Sequence, residues 1–297
     1  MIGAITAGLL GGAAAPISYL WDVVNYGTST GQSTPDGITW TTRTMPSSAN
    51  WYFAAYGAST YVTTAQYSSK AATSPDAITW TARTLSSSTG WVGAFFGNSL
   101  FLAIEGSNTS AIATTSPDGI TWTQRTMPST GNWTGAVYGG GTWVATKYNS
   151  TASATSTDGI TWTARTITTN PGYALTYGAG VFTVANYASI NAQTSTDGIT
   201  WTPRLMPSSQ NWYSLTYGGG VFVATADVST AAASSTDAIT WTARTLPSSQ
   251  GWDVVKYGNG QFITTSATST AAATSPDGVT WTARTQNVAS TGLAINY

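Results

Sequence analysis

Acid–base and nucleophilic chemistry needs titratable side chains, and this chain has few. Its 297 residues include 11 acidic and 10 basic residues, with no His and no Cys. A Ser-His-Asp triad, a thiol nucleophile and a Cys/His zinc site are thereby excluded. Glycosidases place two carboxylates across one bond. Glu105 is the only glutamate, and no spacing brings Asp22, Asp227 or Asp253 together with it. No D-x-D-x-D run offers hard oxygen ligands to a metal. The net charge is −1 and no Lys/Arg stripe occurs, so nucleic acid is not an expected partner. These residues read as a non-enzyme without metal or cofactor.

Most of the charge belongs to a repeat. The unit Ser74-Pro75-Asp76-Ala77-Ile78-Thr79-Trp80-Thr81-Ala82-Arg83 has seven copies, with tryptophans at Trp40, Trp80, Trp122, Trp162, Trp201, Trp241 and Trp281. Seven of the ten aspartates and all seven arginines are motif residues. Their matched number suggests structural Asp–Arg pairing. The period near 40 residues predicts a radial array with one small sheet per unit. Each unit divides into four strand-length pieces rich in Thr, Val, Ile and aromatics, punctuated by Gly, Pro, Ser and Asp. The expected fold is all-β: a seven-bladed β-propeller of four-stranded antiparallel blades. Ile and Trp of the motif are expected on one face of the fourth strand, wedged between blades.

The ends predict how the ring closes. An aromatic precedes the motif Asp by 15 residues at Tyr61, Trp143, Phe182, Phe222 and Phe262, and the same count back from Asp36 reaches Trp21. Residues 20–24 are therefore a second strand, and the first blade lacks its own inner strand. Residues 292–297 resemble an inner strand and are expected to complete that blade. The propeller spans 17–297, preceded by an apolar segment, 1–16.

The motif S-P-D-G-I-T-W resembles the Asp-box of sialidase-type and BNR-repeat propellers, one residue shorter between Asp and Gly. Asp76 and Asp237 are followed by Ala instead of Gly. The compact form is similar to repeats of bacteriophage virion proteins. In that family the Asp-box is a peripheral fold element, which agrees with the local chemistry: Asp accepts backbone N–H bonds across a turn where Gly tolerates positive φ. The resemblance implies a tail or head-appendage protein, or a capsid decoration, on the phage particle. Sialidase-like catalysis would need a central arginine cluster, and here every arginine falls on the presumed outer strand.

Variation collects in the loops between second and third strands. Tyr67, Lys70, Glu105, Asn108, Lys147, Tyr148, Tyr187, Asn191 and Asp227 lie there and are the candidate ligand-binding residues. In a four-stranded blade these loops share one rim with the connections between blades, which lead to Trp51, Trp91, Trp133, Trp212 and Trp252. The tryptophans fit two readings, inter-blade core or exposed platforms. Aromatic faces beside amides suit a host-surface glycan or protein. Segment 1–16 is uncharged and too short to span a bilayer as a helix. It resembles leaders that dock phage appendages, which would make other virion proteins its partners through Ile2, Ile5, Leu9 and Leu10. A signal peptide is the competing reading, without a basic n-region in its favour. It would make the protein a secreted lectin.

Overall fold

Short runs of β-branched and aromatic residues, each cut off by Gly, Ser or Asp, fold as antiparallel strands. The computed structural model describes residues 21–24, 26–107, 109–289 and 292–295. Among them, strands form five four-stranded sheets and one six-stranded sheet, and the architecture is an all-β propeller. In one representative sheet Trp133–Gly139 is innermost, followed outward by Thr142–Lys147, Ala152–Ser156 and Thr163–Thr166. In the six-stranded sheet, Thr242–Gly258 pairs through its first half with Val221–Ser235 and through its second half with Gln261–Ser266.

The two ends of the chain share a sheet. Gly292–Ile295 pairs antiparallel with Trp21–Val24, placing Trp21 opposite Ile295, and Trp21–Val24 pairs in turn with Thr28–Thr34. Neighbouring sheets interlock through a repeated Tyr-Gly step at the end of the inner strand. A Cβ added at Gly139 would fall 2.1 Å from the ring of Tyr177 in the next sheet. Only glycine admits that ring so close to the backbone. Tyr61, Trp143, Phe182, Phe222 and Phe262 are fully buried on the second strands, where the 15-residue count places them, and Phe101, 17 residues before Asp118, takes the same place in its unit.

The motif is a turn braced by its own side chains. Asp158 Oδ1 accepts N–H bonds from Ile160 and Thr161, at 2.8 Å each. These two donors, Thr161 first, hold its carboxyl below the usual carboxylate range. Two sequence expectations are corrected here. The motif isoleucines are exposed, because the Asp turn runs on through Thr161 and the outer strand begins only after the tryptophan, at Thr163–Thr166. No ion pair joins motif Asp to motif Arg among the described residues. Instead Arg165 Nε donates to Thr155 Oγ1 at 3.0 Å, and each other motif arginine likewise reaches back ten residues to a Ser or Thr. The one-to-one ratio reflects two separate structural duties in each unit.

Candidate functional site at the channel rim

The loops after the second strands and the connections between sheets meet on one rim. The N–H groups of Gln66, Tyr148 and Asp227 donate to the carbonyls of Asn50, Asn132 and Asn211, at 2.8–2.9 Å. On the opposite rim the hairpin at Asn259–Gln261 binds the turn of the adjacent unit, with Gln261 Nε2 donating to the Asp36 carbonyl at 2.7 Å. That rim carries repeated turns. Loop variation lies on the first.

The sequence candidates separate there. Tyr67 is 68% exposed and borders the channel. Lys70 is exposed, its Nζ donating to the Ser48 carbonyl at 3.0 Å. Tyr148, Tyr187 and Asp227 are half-buried around the mouth, and Asn191 is exposed beside them. Lys147 is only 6% exposed, so its candidacy is corrected. It packs 4.6 Å over the Trp133 ring and donates to Ser129 Oγ at 2.8 Å. Glu105, another candidate, is fully buried at the end of a second strand, with Oε1 accepting the Ser107 N–H at 2.9 Å. The five connection tryptophans are core, not platforms: each is fully buried, with Nε1 of Trp133 donating to the Ser129 carbonyl four residues back. Asn108 and the anchor candidates Ile2, Ile5, Leu9 and Leu10 lie outside the described residues.

The structure adds residues that loop position alone did not single out. Tyr52, Tyr213 and Asp253 on inner strands, and Tyr173 just before one, occupy equivalent positions four residues before Tyr56, Tyr217, Tyr257 and Tyr177. A four-residue offset from the strand-ending tyrosine was the available signal. All four border a central cavity of about 560 Å³. Tyr173 stacks on Tyr148 at 5.0 Å and on Tyr213 at 4.6 Å, and Tyr187 meets all three rings edge-on at 6.1–6.3 Å. Tyr213 and Tyr52 share a hydroxyl hydrogen bond.

Burial sets the electrostatics of this array. It pushes the Tyr173 hydroxyl up to about 12, with Tyr148 adding to the shift, and raises Tyr213 further. Asp253 is pushed up to about 6 by burial and by the negative field of Asp227, against the lowering effect of an N–H bond from Ala267. Three residues along the same strand, Lys256 lines the cavity, and burial lowers its pKa. Among the described residues no cluster of three or more His, Cys, Asp or Glu side chains is gathered to hold a metal. No helix among them is long and apolar enough to cross a membrane. The arrangement can stack planar or CH-rich faces and exchange hydrogen bonds with a ligand.

No protein family and no curated protein matches the chain by sequence. Its fold is similar to that of solved structures. Virginiamycin B lyase from Staphylococcus aureus superposes with a TM-score of 0.74 at 13% identity, over 84% of this chain and 88% of the lyase. YCF48 from Cyanidioschyzon merolae gives 0.61 at 13% identity, over 89% and 87%. The computationally designed Ika8 protein gives 0.64 at 10% identity, over 93% and 86%. Identities this low carry the propeller fold and nothing of the chemistry.

Proposed function

We propose that the chain is a seven-bladed, non-enzymatic recognition propeller, a structural protein of the phage virion that presents one rim to a glycan or protein of the host surface. The observation that carries recognition is the tyrosine array, stacked across neighbouring sheets at the mouth of a cavity on the rim where the loops vary. The count of seven rests on dividing the six-stranded sheet within Thr242–Gly258, whose two halves pair with different strands. The innermost strands then contact one another in a closed cycle that includes Gly292–Ile295. Absence of catalysis rests on the charge inventory. Virginiamycin B lyase is inactive when one of its histidines is replaced by alanine, and this chain has no histidine.

Virion attachment rests on the Asp-box-like motif and on the uncharged apolar segment 1–16. Apolar side chains left in water are a liability unless they meet a partner. The test compares incorporation of the full chain and of a chain lacking residues 2–15 into purified particles. The shortened chain should fold and stay in the soluble fraction. Equal incorporation of the two would overturn the attachment reading, and unimpaired host adsorption by particles devoid of the chain would overturn the recognition reading.

A further inference from the structure

Two inner strands break the pattern of the repeat: the C-terminal one begins with Gly292, and the other stands beside a rim cavity. Five residues before the inner-strand Tyr or Phe, five units carry the buried tryptophans Trp51, Trp91, Trp133, Trp212 and Trp252. The unit ending at Tyr177 has Gly172 there, preceded by Pro171. A Cβ at Gly172 would lie 2.6 Å from the Cβ of Tyr187, so Tyr187 folds in where the missing side chain would stand. The strands stop short beneath it. The third and fourth strands stay paired up to the rim in four units, as at Ser68 with Thr89 and Thr28 with Ala49, and end early in three. Here Ala152–Ser156 and Thr163–Thr166 end early, and above them Asn170 Nδ2 bridges to Asn149 Oδ1 at 3.3 Å.

The gap is a cavity of about 560 Å³, within the size range of small-molecule sites. Its polar wall is made of amides and hydroxyls, including Asn149, Asn170, Asn186, Asn191 and Thr169, and its aromatic wall of Tyr148 and Tyr187. No lining residue carries a charge. Asn186 is 3% exposed, and its Oδ1 has no hydrogen-bond partner among the described residues; the buried Thr169 Oγ1 has none either. Buried polar atoms left unpaired are costly, and the residues that carry these two both line the cavity.

We propose that this cavity binds a neutral sugar, with one ring against Tyr148 or Tyr187 and its hydroxyls on the asparagine amides. An amide offers one acceptor oxygen and two N–H donors, which matches hydroxyls that both donate and accept. A charged ligand would surrender hydration without meeting an opposite charge. The inference deepens the recognition reading by naming its ligand class, and rests on that reading only for its biological use.

The experiment is a titration of the full chain with methyl α-mannoside, lactose and chitotriose, followed by ligand-observed NMR and calorimetry. Sialyllactose and glucosamine serve as charged comparators, and Asn149→Ala, Asn191→Ala and Asp253→Asn as variants. Asn191 is exposed, so its variant should melt like the parent; Asn149 holds a φ of +50° and accepts from Asn170, so its variant should melt slightly lower and is titrated well below its melting temperature. At least one neutral sugar should bind with Kd on the order of 1 mM, and each of those two substitutions should weaken it about tenfold. Asp253→Asn reports on the channel, so a response to it alone would place the sugar there instead. No binding by any neutral sugar, tighter binding of a charged comparator, or binding that responds to Asp253→Asn and not to the asparagine variants would each overturn the proposal. Host adsorption without sugar binding would sink the sugar site and leave recognition standing. Sugar binding by a chain not found in particles would do the reverse.

Discussion

Ser156 and Asp158 brace one another across the motif turn: Ser156 Oγ donates to Asp158 Oδ1 at 2.9 Å and accepts the Gly159 N–H at 2.8 Å. The pair satisfies backbone groups that neither strand can reach. Asp158→Ala removes the acceptor of two exposed N–H groups. It should cost about 0.5–2 kcal/mol, as loss of a side-chain cap does. Urea unfolding at pH 7 measures this. A substitution that left stability unchanged but abolished ligand binding would reverse the structural assignment of the motif.

Asp253 gives a pH signature. Its folded pKa of about 6 lies above the ordinary carboxylate value of 3.8, so the folded chain holds this proton more tightly than the unfolded one. Its contribution to stability is present below pH ~4 and is lost as pH rises through ~6. Asp253→Asn should therefore stabilise the protein at pH 8, on the order of 2 kcal/mol, and the two proteins should converge toward pH 4. An equal gain at both pH values would trace the effect to packing instead of charge.

Closure of the ring predicts a length dependence. Gly292–Ile295 is the inner neighbour of Trp21–Val24 and contacts inner strands on both sides. Removing residues 292–297 should lower the melting temperature by roughly 10 °C or more, the scale for losing several kcal/mol in a chain this size. Calorimetry with light scattering reads both the melting and any association. A shortened chain that is monomeric and equally stable would rule out this role for the strand.

What was legible in the sequence is what local chemistry fixes. The Asp turn, the buried second-strand aromatics and the C-terminal strand's pairing all follow from spacing and from residues acting on near neighbours. The misread features depend on contacts between units. Lys147 sits in a polar loop by sequence, yet Trp133 and Ser129 of the preceding connection enclose it. Asp and Arg looked like partners because they are equally numerous, whereas Arg165 finds a hydroxyl across its own ladder. The rim cavity left one trace, the missing tryptophan at Gly172. What fills that space comes from a loop 15 residues later, at Tyr187, and only the folded ring brings the two together.

The arginine-to-hydroxyl bond has a consequence for colloidal behaviour. Each blade must end in a strand whose outward backbone groups have no ladder partner, and such an edge is a template for pairing with another molecule. In a chain with 7% charged residues, nearly any edge would be bare. The outermost strands instead each carry one guanidinium, tethered through Nε to the strand inside, so that it cannot swing clear of the perimeter. Seven of the ten cationic side chains are spent this way. The molecule's sparse positive charge forms a fence around its circumference that disfavours pairing of neighbouring molecules edge to edge.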